Sequence, residues 1–75
     1  MDIDIKLITS GYGWKKIQSG NSYSHSFTLD NYRLNIYFTT NTIVCQGPHK
    51  TVTYRRVQPE HLERILIELD GVIYA

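Results

Sequence analysis

The stretch from Tyr32 to Gln46, YRLNIYFTTNTIVCQ, limits the fold more than any other part of this chain. From Tyr32 to Thr39, apolar and polar residues alternate with a period of two. Leu34, Ile36 and Phe38 fall on one side, and Arg33, Asn35, Tyr37 and Thr39 on the other. Successive side chains leave a pleated backbone on opposite faces, so this pattern predicts a half-buried strand. Thr40-Asn41 separates it from a second β-branched run, Thr42-Ile43-Val44-Cys45. Asn tolerates the positive φ that a short hairpin turn needs, and Gly47-Pro48 then ends the second strand.

The same period extends outward from this hairpin. In Ser22 to Leu29, Tyr23, His25, Phe27 and Leu29 share one face, and Ser22, Ser24, Ser26 and Thr28 the other. Asp30-Asn31 is a polar two-residue turn, so residues 22–29 and 32–39 are expected to pair antiparallel. Lys50 to Val57, rich in Thr, Val and Tyr, reads as the last main strand. Trp14 to Gln18 reads as a short strand or a turn, with Trp14 and Ile17 buried and Lys15 and Lys16 solvated. Asp2 to Ile8, DIDIKLI, alternates as an edge strand would, with Ile3, Ile5 and Leu7 on its apolar side.

After these strands the period changes to that of a helix. Pro59 suits a first helical position, and Leu62, Ile65, Leu66 and Leu69 follow at i, i+3, i+4 and i+7, one apolar stripe. Glu60 with Arg64, and Arg64 with Glu68, are i,i+4 pairs on the opposite side; Gly71 is expected to end the helix. The fold class is therefore α+β, an antiparallel meander of four to five strands with one C-terminal helix packed on one face. The stripe needs a partner, and the Leu34/Ile36/Phe38 and Ile3/Ile5/Leu7 faces are the natural ones, which leaves the other face of the sheet open.

Residues 1–75 make one domain, near the lower size limit for a single hydrophobic core. The apolar share of 41% is that of a globular chain and excludes a disordered one. Net charge is only +1, but it is unevenly spread. Residues 1–57 hold seven Lys and Arg against three Asp and Glu, and residues 58–75 hold one against four. The first part can therefore present a locally basic surface. One cysteine, Cys45, allows no internal disulfide, the N-terminus does not read as a signal peptide, and no apolar run reaches a membrane-helix length. A soluble protein of the cytoplasm, or another intracellular compartment, with no membrane partner is the expectation.

Arg33, Asn35, Tyr37 and Thr39 mark the open face, with Tyr54, Arg55 and Arg56 expected on another strand, Lys50 at its start and Lys15-Lys16 in a loop. Tyrosine rings offer stacking platforms for unpaired bases and guanidinium groups neutralise phosphate, so this set suits nucleic acid. Tyr and Arg are also ordinary residues of a solvated sheet face. His25, in YSHSF, is either a general base or a histidine packed at the core margin. Cys45 and His49 alone do not make a metal site, His61 reads as solvated, and Cys45 reads as a small core residue. No phosphate loop, nucleophile elbow or paired-carboxylate motif occurs, so no metal or cofactor is expected.

LNIYFTTNTIVCQG, Leu34 to Gly47, resembles the strand–turn–strand of the TATA-box-binding-protein-like N-terminal domain of ribonuclease HIII. That resemblance implies a curved sheet with helices on its convex side and nucleic acid on its concave side; the strand at Lys50 to Val57 departs from it. The strand order followed by a helix is also similar to Whirly-type and coactivator-type single-stranded DNA binders, which dimerise through the helix; that topology is compatible with a homodimer. GYGWKKIQSGNSYSHSF is similar to the Gly-Trp and Gly-Ser-His segments of HicA-type mRNA interferases, which implies a catalytic His25. The N-terminal helix of that family has no counterpart where residues 2–8 read as strand.

The leading expectation is a binding module rather than an enzyme. It would take single-stranded nucleic acid or an RNA/DNA hybrid through Lys15, Lys16, Arg33, Asn35, Tyr37, Lys50, Tyr54, Arg55 and Arg56. The alternative is a protein-binding adaptor or inhibitor of a phage or mobile element, since a small domain with open sheet edges favours association.

Overall fold

The computed structural model describes residues 5–74, with Lys6 described through its backbone alone. Helix α1 (Ile5–Ser10) leads into β1 (Lys15–Ile17), β2 (Ser24–Leu29), β3 (Tyr32–Tyr37), β4 (Thr42–Gln46) and β5 (Thr51–Tyr54). A 3-10 turn (Pro59–His61) then opens α2 (Leu62–Ile73). The strands lie in chain order, β1-β2-β3-β4-β5, and every neighbouring pair is antiparallel. The expected α+β meander with a C-terminal helix is therefore what the chain forms.

Register assigns the two faces. Phe27 stands opposite Leu34, Leu34 opposite Cys45, and Cys45 opposite Val52. The next row runs His25, Ile36, Ile43 and Tyr54. Phe27, Leu34, Ile36, Ile43 and Cys45 pack with Ile5, Trp14 and the α2 stripe Leu62, Ile65, Leu66 and Leu69 in a single core. Both helices thus cover this face. Leu62, Leu66 and Leu69 are fully enclosed. At about 1.5–3 kcal/mol per buried leucine, they make α2 a substantial contributor to core stability.

Two turns are made by residues that accept left-handed backbone, Asp30 at φ 52° and Asn41 at φ 54°. Arg56, at φ 55°, is the third such non-glycine among the described residues. It swings the chain out of the sheet after Tyr54, so that buried Val57 enters the core and its N–H donates to Asn41 O at 2.8 Å. The last strand consequently stops at Tyr54 instead of running to Val57.

Three expectations are corrected here. Residues 5–8, read as part of a strand, belong to α1, and residues 2–4 of that stretch lie outside the described residues. Ile5, Ile8, Thr9 and Tyr12 recur at i, i+3, i+4 and i+7; Ile5 and Thr9 are buried, Ile8 and Tyr12 are half-buried, and Leu7 is 68% exposed. Gly71 does not end α2, which continues to Ile73 with Gly71 on its exposed side. Finally, Arg64 makes no ion pair with Glu60 or Glu68.

Candidate functional site

The face away from the helices carries three cross-strand rows. The first is Lys15, Thr28, Arg33, Gln46 and Thr51; the second is Ile17, Ser26, Asn35, Val44 and Thr53; the third is Ser24, Tyr37 and Thr42. Lys15 and Arg33 are exposed in the same row, one on either side of Thr28. Tyr37 is half-buried, and exposed Tyr23 leans on it with ring centroids 6.3 Å apart and planes tilted by 31°. Ser26 and Asn35, by contrast, are buried at 1% and 9% exposure, although neither described helix lies above them. Their short side chains sit below the level of larger neighbours, and the Ser26 hydroxyl donates to Asn35 Oδ1 at 2.8 Å. The Asn35 carbonyl oxygen is therefore committed to the sheet, and its side chain lies at the floor of this face rather than projecting from it.

The remaining expected contacts do not share this surface. Lys16 stands opposite Phe27 on the helix side of β1, its Nζ 5.3 Å from the Phe27 ring centroid. Tyr54 stands opposite Ile43 and packs against the core. Burial first, and the nearby Glu68 charge second, raise its hydroxyl above the ordinary tyrosine range. Lys50 is exposed in the β4–β5 hairpin loop, where its carbonyl accepts the Gly47 N–H at 2.8 Å. The single basic-aromatic face expected from the sequence is thus divided. Lys15, Arg33, Tyr37 and the unexpected Tyr23 lie on the open face, while Arg55 and Arg56 lie elsewhere.

Arg55 and Arg56 line a surface groove of about 460 Å³ between the end of β5 and α2. Arg64 and His61 approach it from the helix, with Glu68 on the same side and buried Val57 and Ile65 beneath. Arg64 and His61 were not expected in any site. Their three-residue spacing, which puts them on one helix face, was the signal available.

His25 lies on the helix side of β2, opposite Ile36, with its ring 5.2 Å from that of Phe38. Burial, then the Lys16 charge, lowers its pKa, so the imidazole is neutral near pH 7. Cys45 is buried at 2% exposure, and burial raises its thiol pKa, which makes it an inert core residue. Among the described residues no group of three or more His, Cys, Asp and Glu side chains is placed to hold a metal ion. No described helix is long and apolar enough to cross a membrane.

Fold and surface together define a small α+β domain with one sheet face covered by helices and one that no described helix covers. Comparison with protein-family models, curated proteins and solved structures finds no match.

Proposed function

We propose that this chain is a small nucleic-acid-binding module that receives a single strand on its uncovered sheet face. The observation that carries the reading is the charge of that face: no strand of the sheet contains Asp or Glu, while Lys15 and Arg33 project from it. Four of the carboxylates, Glu60, Glu63, Glu68 and Asp70, belong to the 3-10 turn and α2 on the opposite side. The Tyr23–Tyr37 pair supplies π-faces beside the two cations, the combination that suits bases joined by phosphate. Asn35 and Ser26 act beneath as a rigid floor.

The test is fluorescence anisotropy with labelled oligo-dT, oligo-rU and a short RNA/DNA hybrid across a salt series. Two neutralised phosphates on a single strand give a slope of log K on log salt of about −1.4. Lys15→Ala with Arg33→Ala should flatten that slope, and Tyr37→Ala should weaken binding by about 1–3 kcal/mol without changing it. Binding that is absent at low salt, or indifferent to the double substitution, overturns the proposal.

One observation favours a second reading. The N-terminal helix that the HicA-type resemblance requires is present as α1, and neutral His25 stands beside the Lys16 cation. Under that reading His25 takes the 2′-hydroxyl proton of RNA as general base. RNA cleavage lost in His25→Ala supports it, and no cleavage by the unaltered protein removes it.

A further inference from the structure

We infer that the groove between β5 and α2 is an anion site, separate from the uncovered sheet face, that takes a phosphate monoester or diphosphate group. Three arginines, Arg55, Arg56 and Arg64, line this groove together with His61. Glu68 is the only carboxylate among the lining residues, so three arginines against one glutamate leave a charge of +2. Among the described residues none of the three arginines has an ion-pair partner, even though Glu60 and Glu68 stand one helical turn to either side of Arg64. Cations gathered in excess of the single nearby carboxylate repel one another, and an anion placed between them relieves that repulsion.

Charge and geometry select the chemistry of the ligand. A phosphate monoester carries about −1.5 to −2 at neutral pH and three acceptor oxygens, which matches the charge and can engage more than one guanidinium fork. A lone carboxylate offers one charge and two oxygens, and would leave part of the arginine set unanswered. The groove volume, about 460 Å³, admits the phosphate with an attached sugar or ring beside Tyr54.

Backbone geometry points to the same place. Arg56 occupies left-handed φ at 55°, where the other such residues are an Asp and an Asn in hairpin turns. Those two types bond locally and tolerate the conformation, whereas Arg has no such compensation. The conformation directs the Arg56 position toward the groove while Val57 turns inward. Glycine can hold the same backbone without a guanidinium, so Arg56→Gly separates the shape of the turn from its charge.

The experiment is an NMR titration of the isotopically labelled full chain with inorganic phosphate and then pyrophosphate, at constant ionic strength maintained with chloride. Saturable shifts confined to residues 54–57 and 61–68, tighter for pyrophosphate, are expected. Arg56→Gly, and separately Arg55→Ala with Arg64→Ala, should raise the dissociation constant at least tenfold while leaving the amide spectrum of the sheet unchanged. Glu68→Gln should lower it. A 5′-phosphorylated oligonucleotide, the same oligonucleotide without the phosphate, and a mononucleotide distinguish a strand end from a free nucleotide as the source. Shifts spread over Lys15 and Arg33 alike, equal shifts with chloride, or tighter binding of a poly-glutamate peptide than of pyrophosphate overturn the inference. Failure of this titration leaves oligo-dT binding to the sheet face intact, and the converse also holds.

Discussion

Replacing Ser26 with Ala removes a single hydroxyl from the centre of the uncovered face, and its cost can be worked from the surroundings. Ser26 is 1% exposed and donates to Asn35 Oδ1 at 2.8 Å, while Asn35 is itself 9% exposed. Without the donor, the Asn35 carbonyl loses this partner and has little access to water, a loss of about 1–3 kcal/mol. Asn35→Val strands the Ser26 hydroxyl instead, at a similar cost of about 1–3 kcal/mol. In the double variant both polar groups are gone, and the new apolar pair lies between Ile17 and Val44 in the same cross-strand row. Its loss should therefore fall short of the sum of the single losses by about 1–2 kcal/mol. For a domain of this size 1 kcal/mol moves the thermal midpoint by about 4–8 °C, so each single substitution lowers it by roughly 4–24 °C. Urea unfolding followed through buried Trp14, the single tryptophan, measures all four proteins with one probe. Strictly additive losses, or single losses below about 0.5 kcal/mol, would refute the view that Asn35 is a structural residue held by Ser26.

Three further outcomes are expected. Gly47→Ala places a methyl carbon 2.5 Å from Tyr32 Cε1, so the half-buried ring must shift; denaturant melts should show a loss of about 1–3 kcal/mol that largely disappears in a Tyr32→Ala background. Arg56→Gly should keep the unfolding free energy from urea melts within about 1 kcal/mol of wild type or raise it, because relief of left-handed strain offsets the added freedom of the unfolded chain, whereas Arg56→Val should lower it. His25 has a lowered folded pKa, so its contribution to stability is fully present above its unfolded value of about 6.5 and is lost as pH falls below that value toward the folded one. Urea midpoints at pH 7.5 and pH 5 should accordingly differ less in His25→Gln than in wild type.

Where one periodicity ran unbroken, the sequence was a sufficient guide. Leu34 and Ile36 against Arg33, Asn35 and Tyr37, and the stripe from Leu62 to Leu69, each repeat long enough for only one element to satisfy them, and both faces came out as expected. DIDIKLI is too short for that. Its alternation fits a strand, and the residues that decide for a helix, Thr9 and Tyr12, lie at or beyond the apparent break. Gly71 carried a stop signal that the remaining apolar contact of Ile73 with the core overrides.

The candidate site was less legible, for two physical reasons. Parity along a strand tells which side a residue faces only while the strand lasts, and the left-handed turn at Arg56 ended β5 before Arg55 and Arg56 could follow Tyr54. Parity also says nothing of depth. Asn35 faces the open side as read, yet it is buried there and its carbonyl oxygen is bonded to Ser26. Tyr23 entered the site because it precedes β2 and escapes that strand's alternation.

Because each strand pairs only with its neighbour in the chain, the sheet can zip up hairpin by hairpin as it leaves the ribosome, with little loop entropy to overcome. Its greasy side nevertheless has only α1 and Trp14 to cover it until Leu62, Leu66 and Leu69 arrive. During synthesis this protein therefore passes through a half-clad sheet, and the interval before the closing helix emerges is when a chaperone has most to hold.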